Sequence, residues 1–393
     1  MTDTAALLDG MTIVDADTHL TEPHDLWTSR APKGWEDRVP QVRTVDGVPM
    51  WTIDGDPIGG ASGASVIGPD GGKMYGTGFM GMGIDQVHAG ASQVGPRLAV
   101  MDEQGIYAQI VYPNAVGFGG QRFANVVDPE LQLMCATIYN DAMAEIQDES
   151  GQRMFPMALL PWWDIDMAVK EIERVKALGL RGINTNADPH NDGLPDLAEH
   201  HWDPVWEACA DLGLPVNFHI GASQTSSSWF GQMPWPSFDP ERKLALGSLM
   251  VMISNFRTLG NLLLSGVFER HPKLNVVSVE SGLGWIPFLL EGLDYEVSET
   301  APHIGEILSM KPSEYFKRQV YVCYWFEQAS MRGVLDQIGA DRVLFETDFP
   351  HPTCLYPDSL ARAVEPLADL DADVRRGILG GNAAKLYNIP MPT

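Results

Sequence analysis

Eight short β-rich runs alternate with amphipathic stretches along this chain, a pattern that predicts an α/β fold with a parallel sheet wrapped by helices. Eight such strands point to a closed (β/α)8 TIM barrel rather than an open sheet. A barrel can spend all 393 residues on one domain, 1–393.

The first run, residues 12–16, reads Thr-Ile-Val-Asp-Ala, and the second, 107–112, reads Tyr-Ala-Gln-Ile-Val-Tyr. The third and fourth are 154–160 (Met-Phe-Pro-Met-Ala-Leu-Leu) and 180–185 (Leu-Arg-Gly-Ile-Asn-Thr). The remaining four are 215–219, 274–280, 320–324 and 342–347. Helical patterns lie between them. In 166–178, Met167, Val169, Ile172, Val175 and Leu178 approximate helical spacing, and 203–212 supplies a helix before the fifth strand.

Composition narrows the function. Asp and Glu number 52 against 26 Lys and Arg, a formal net charge of −26 that repels phosphate backbones and anionic membranes. Nucleic acid is therefore not an expected partner. With 45% hydrophobic residues the chain can bury a large core, which excludes a disordered acidic segment. No apolar run reaches the roughly 18–20 residues of a membrane span. Residues 1–10 carry Asp3 and Asp9 and lack the basic start of a signal peptide, so a cytoplasmic location is expected. Cys135, Cys209, Cys323 and Cys354 have no CxxC spacing and read as reduced thiols.

Two regions depart from the alternation. Residues 41–95, after the first strand, are Gly- and Met-rich, with Gly59-Gly60, Gly71-Gly72, Met74, Phe79, Met80 and Met82, and read as a floppy insertion or a lid over the barrel mouth. Residues 222–239 follow a strand end and hold Trp229, Phe230, Trp235 and Phe238, which either line a pocket or pack among themselves. Trp162-Trp163 and Tyr324-Trp325, after strands three and seven, are further candidate walls, with core packing as the alternative.

The chemistry-bearing residues fall at strand ends, where a barrel builds its catalytic face. Strand one runs into Asp15-Ala16-Asp17-Thr18-His19, followed by Glu22; alternation in extended chain points Asp17 and His19 the same way, able to grip one ion. Strand five ends in His219, strand six in Glu280, and strand eight in Glu346-Thr347-Asp348-Phe349-Pro350-His351. Four strand ends that each finish in a carboxylate or imidazole would bury like charges against one another unless a cation neutralised them.

The set Asp17-x-His19-x-x-Glu22-Pro23, His219, Glu280-Ser281-Gly282-x-Gly284-Trp285, Asp348-Phe349-Pro350-His351 and Leu379-Gly380-Gly381-Asn382-Ala383-Ala384-Lys385-Leu386-Tyr387 resembles the amidohydrolase superfamily. More narrowly it is similar to the amidohydrolase-related branch, which includes aminocarboxymuconate-semialdehyde decarboxylase, resorcylate- and vanillate-type decarboxylases and some carbon–carbon hydrolases. The resemblance spans nearly the whole chain apart from residues 41–95. It implies a distorted barrel with one or two divalent metals at its mouth, Asp17 and His19 matching the first-strand pair, His219 the fifth-strand ligand and Asp348 the eighth-strand aspartate. This chain departs from many members in having Asp-x-His on strand one and Glu280 where a sixth-strand His is common. Strand four ends without Lys, so a bridging carbamylated lysine is not expected.

Charge arithmetic separates two functional expectations. If Asp17, Glu22, Glu280 and Asp348 all face the site, one divalent ion leaves an excess of about two negative charges, and two ions would balance it. The leading expectation is a metal-dependent hydrolase or decarboxylase acting through metal-activated water on a small organic acid or carbonyl compound. Asp17, His19, Glu22, His219, Glu280 and Asp348 would hold Zn, Fe or Mn, and Asp348, Glu280 and His351 would serve catalysis. His351 either orients a ligand, contacts substrate, or sits in a surface turn. The alternative is a dinuclear non-heme iron, or iron–manganese, monooxygenase; a non-catalytic barrel is the third class. Asn382 is expected to cap a helix. Arg242 and Arg257 are the only cations suggested for a substrate anion, and a homo-oligomer is expected from the resemblance.

Overall fold

The computed structural model describes residues 4–231, 235–301, 303–329 and 331–392. Its main sheet is built from β1 (Val14–His19), β5 (Ala108–Tyr112), β6 (Met154–Pro156), β7 (Ala158–Leu159), β8 (Ile183–Asn184), β9 (Val216–His219), β10 (Val276–Val279), β11 (Val320–Tyr324) and β12 (Val343–Phe345). Three further strands, β2 (Gln41–Val45), β3 (Val48–Ile53) and β4 (Asp56–Gly60), form a separate antiparallel sheet.

The main sheet runs β6-β5-β1-β12-β11-β10-β9-β8-β7, with every registered pair parallel. Its two ends are consecutive pieces of one run. The Met157 N–H donates to Val111 O at 2.9 Å and the Ala158 N–H to Gly182 O at 3.1 Å, so the third predicted strand pairs with one neighbour by its first half and with the other by its second. That switch closes the ring, and eight runs make the barrel. The strand boundaries move: the first forms at Val14–His19 rather than 12–16, and the fourth keeps only Ile183–Asn184.

Helices cover the outside. Pro129–Glu149 is capped by Asp128, which accepts from the Glu130 N–H, and Ile165–Ala177 by Asp164, which accepts from the Met167 N–H. The latter buries Ala168, Ile172 and Val175 on the sheet, whereas Leu178, expected on that face, falls at the exposed C-terminal end. Inside the barrel, Val14, Ala16, Ala108, Ile110, Tyr112, Val277 and Leu344 pack with Tyr387 from the chain's last turns.

The C-terminal motif plugs the barrel's N-terminal end. A Cβ on Gly380 would lie 2.2 Å from Thr12 O and 3.0 Å from Val14 N, so only glycine lets this segment reach the start of β1. The Tyr387 hydroxyl donates to Asn217 Oδ1 at 2.6 Å. Asn382 is not a cap: its amide donates to Ala340 O at 2.9 Å and Val343 O at 2.8 Å, tying the last helix to β12.

The 41–95 segment is not structureless. Its first third is the β2-β3-β4 meander, joined by Asp46-Gly47 and Asp54-Gly55 turns in which all four residues have positive φ. Those two Asp-Gly pairs were the legible signal for the hairpins. Among the described residues no helix is long and apolar enough to cross a membrane.

Candidate metal centre

Strand ends deliver most of the predicted side chains to one place. Asp17, His19, His219 and Glu280 offer donor atoms within 4.8 Å of one another, as do His19, Glu280, Asp348 and His351. All are buried, with Glu280 the most accessible at 7%. Glu280 and Asp348 both take left-handed backbone conformations, φ 54° and 59°, at the points where β10 and β12 give way to loops. Such conformations cost a non-glycine residue roughly 1–3 kcal/mol and concentrate at functional sites.

The imidazoles are fixed by the main chain. His19 Nδ1 lies 3.1 Å from Pro113 O and His219 Nδ1 2.7 Å from Ile220 O; a carbonyl only accepts, so each Nδ1 carries the hydrogen. The two Nε2 atoms then present lone pairs to each other at 3.1 Å. Around them stand Asp17 Oδ1, 3.6 Å from His19 and 3.5 Å from His219, Glu280 Oε2, 3.2 Å from His219, and Asp348 Oδ1, 3.7 Å from His19. Neither carboxylate oxygen of Asp17 has a hydrogen-bond partner among the described residues. Facing lone pairs and orphaned buried carboxylate oxygens are what a divalent cation would satisfy. The donor set therefore fits a metal.

Electrostatics agree. Burial, followed by Asp348 and Asp17, pushes the Glu280 carboxyl well above its ordinary range. Asp17 is raised by burial and then by Asp348. Burial brings His219 down to about 4, and burial with His351 and His219 nearby holds His19 well below the usual imidazole range. Without a cation the carboxylates resist ionising and the imidazoles resist protonation.

Glu22 stands apart from these donor groups. It is buried, but its Oε1 accepts from the Asn114 N–H at 3.1 Å and its Oε2 from the Ala115 N–H at 2.8 Å. Both oxygens are committed to the loop after β5, and the residue lies outside the two donor groups. Three carboxylates rather than four face the imidazoles, so one divalent ion leaves an excess of about one negative charge instead of two.

His351 is brought in rather than left on a surface turn. Its Nδ1 lies 3.1 Å from Asp348 Oδ1, its Nε2 3.1 Å from Asn114 Oδ1, and its ring stacks on His19 at 3.8 Å between centroids. Residues that sequence reasoning passed over complete the surroundings. Phe118 packs against His19 and His219, with ring centroids 4.8 and 4.3 Å away. Glu346, wholly buried, accepts from the Glu280 N–H at 3.1 Å and so fixes that strand end. Asp15 accepts from the Thr347 N–H and hydroxyl and, held by burial against those bonds, has its carboxyl pushed up to about 7. The first and last strand motifs, adjacent in the barrel, could have suggested this bond.

Glu280 and His351 border a cavity of about 340 Å³ whose other walls include Phe79, Met80, Phe118, Phe230 and Met252. Phe230 comes from the 222–239 segment and Phe79 and Met80 from the Gly- and Met-rich one. Trp162, Trp163, Tyr324 and Trp325 do not line it; the Trp162 indole donates to Gly119 O and the Tyr324 hydroxyl to Ala363 O within the core. Nor are the two suggested arginines free for a substrate, since Arg242 pairs with Asp239 at 2.7 Å and Arg257 with Asp188 at 2.9 Å.

Comparison with known proteins gives the family. The amidohydrolase family model matches residues 14–389. A gamma-resorcylate decarboxylase from Polaromonas sp. (strain JS666 / ATCC BAA-500) is 27% identical over 310 residues, 75% of this chain and 86% of its own. An amidohydrolase from Mycobacterium avium subsp. paratuberculosis K-10 superposes with a TM-score of 0.73 at 23% identity, over 96% of this chain and 99% of that one. A 5-carboxyvanillate decarboxylase from Novosphingobium aromaticivorans, solved with manganese bound, gives 0.65 at 19% identity, over 96% of this chain and 97% of that one. A family match over almost every residue of the barrel, with the donor residues inside it, makes the conclusion plain: this chain belongs to the amidohydrolase family.

Proposed function

We propose that the chain is a divalent-metal-dependent carboxy-lyase that removes CO2 from a small aromatic acid at the barrel mouth. The observation that carries this reading is the buried donor set opening, through Glu280 and His351, onto an aromatic-lined cavity. The decarboxylases among its relatives support the same choice over hydrolysis.

Asp17, His19, His219, Glu280 and Asp348 would hold the cation, with Mn, Fe or Zn all compatible with mixed imidazole and carboxylate donors. When bound, it supplies Lewis acidity that polarises the substrate's oxygens. Phe118, Phe79 and Phe230 would sandwich the ring and keep water from it. In the reaction the bond from ring carbon to carboxyl breaks, its electron pair stays on the ring carbon, and that carbon takes up a proton as CO2 leaves. Asp348, with Oδ1 3.1 Å from His351 Nδ1, is placed to hold that proton, and His351 is held in turn by Asn114. Glu280 reaches the cavity wall and would orient the substrate's polar edge.

Several expectations join this reading. The 41–95 segment would act as a cover, since Phe79 and Met80 wall the cavity, within a single 1–393 domain. A cytoplasmic homo-oligomer is proposed with it. The dinuclear monooxygenase reading rested on four carboxylates facing the site, and the commitment of Glu22 elsewhere removes part of that basis.

The test is a panel of hydroxybenzoic acids incubated with enzyme loaded with Mn, Fe or Zn, following CO2 release and the change in ring absorbance. Metal-dependent CO2 release from at least one acid is expected. Oxygen uptake with a reductant in place of CO2 release would overturn the reading.

A further inference from the structure

A second cavity, of about 270 Å³, shares Ala64 and Phe118 with the one that Glu280 and His351 border. Asn114 lines it and also contacts His351 Nε2 at 3.1 Å, so it adjoins the donor cluster. Of its lining residues only one is charged, Arg122, in a chain with twice as many acids as bases.

Arg122, unlike most of the arginines, lacks a carboxylate or carbonyl partner, a trait it shares with Arg181 and Arg362 among the described residues, neither of which lines this cavity. Arg174 pairs with Glu171, Arg257 with Asp188 and Arg270 with Asp203. The half-buried Arg122 guanidinium has no carboxylate or carbonyl partner among the described residues, and burial alone lowers its pKa. The polar groups beside it are spent on one another: the Gln121 amide accepts from the Gly119 N–H and donates to Gly221 O, and the Ser227 hydroxyl donates to Gly221 O. The buried side of an unpaired cation is left short of acceptors unless something else supplies them. An anionic ligand group in this cavity would, and a planar guanidinium suits a carboxylate in two-point contact.

We propose that Arg122 is a specificity-determining residue that receives a second anionic group of the substrate, a carboxylate or comparable oxyanion, while the carboxyl group to be lost sits at the metal donors. The inference rests on the carboxy-lyase reading and narrows it to acids with two anionic groups.

The experiment measures binding of benzoate, isophthalate and terephthalate to the metal-loaded wild type, Arg122→Gln and Arg122→Lys by titration calorimetry. The two dicarboxylates project their second group at different angles. In the wild type at least one should bind about tenfold or more tightly than benzoate. Arg122→Gln should bring that ratio close to one, and Arg122→Lys should keep part of it. No preference in the wild type, or a preference that survives in Arg122→Gln, overturns the proposal. CO2 assays on the same proteins with the hydroxybenzoic acid panel separate the two readings. Turnover without an Arg122-dependent preference overturns the subsite alone, and an Arg122-dependent preference without CO2 release from any acid overturns the carboxy-lyase reading alone.

Discussion

The Nε2 atoms of His19 and His219 face each other across 3.1 Å while a main-chain carbonyl holds the Nδ1 of each ring. With the hydrogen fixed on Nδ1, the two lone pairs repel unless a cation stands near both. Adding Mn, Fe or Zn to metal-stripped protein is therefore expected to raise the thermal midpoint. The gain is about 2.7 kcal/mol when free metal reaches 100 times Kd, and a chelator reverses it. His19→Ala and His219→Ala should each abolish the shift in a thermal-melt assay. A wild type that none of the three metals stabilises would sink the metal centre.

Glu22 separates structural from ligating carboxylates. Because its two oxygens serve the Asn114 and Ala115 amides, Glu22→Gln should lower stability by roughly 1–3 kcal/mol in urea titration. Its metal content, measured by elemental analysis, should stay at the wild-type value. Asp17→Asn should do the reverse and lose metal; equal metal loss in both variants would restore Glu22 as a ligand.

Asp348 carries the proton in the proposed reaction. Asp348→Asn keeps the side-chain shape and the Thr353 contact at Oδ2 while removing the titrating group. Turnover is expected to fall roughly 10²–10⁴-fold with an unchanged far-ultraviolet spectrum. Activity within tenfold of wild type would assign the proton elsewhere.

Gly380→Ala probes the plug. Its Cβ would meet main-chain atoms of residues 12 and 14, which cannot swing aside as a flexible side chain can. A loss at the upper end of overpacking, about 3 kcal/mol, is expected by chemical denaturation. A neutral substitution would mean that the C-terminal segment is free to withdraw.

Away from the mouth, burial raises the Asp203 carboxyl, but hydrogen bonds from His271, His200 and Arg270 outweigh it and bring the group to about 2. A carboxyl depressed in the folded state stabilises above its unfolded value and loses that contribution as pH falls through the folded one. Asp203→Asn should thus cost roughly 1–2 kcal/mol between pH 5 and 7, and the gap to wild type should narrow below pH 3.8 toward pH 2. Urea midpoints across that range check the sign; a gap that widens on acidification contradicts it.

Much of this was legible in the sequence, for local reasons. Short strand runs announce themselves by composition, and a polar residue closing an apolar run, as His219 and Glu280 do, marks a strand end wherever the strand lies. Closure was legible only as a count. That 154–160 pairs with different neighbours through its two halves depends on where β5 and β8 come to rest, not on its own residues. The Asp-Gly turns of the meander were in plain view but lay inside a segment whose glycine content suggested looseness.

The sequence by itself determined the barrel and the chemical kind of its mouth, because alternation along a strand and the residue types at its end are properties of neighbouring positions. Only the tertiary structure decided which carboxylates share the site. Glu22 sits five residues from Asp17, yet it turns to amides contributed by another strand's loop, while Asp348 comes from the far end of the chain to face His19. Membership of the site is set by which buried donors find partners nearby, and those partners come from strands brought together by register and closure.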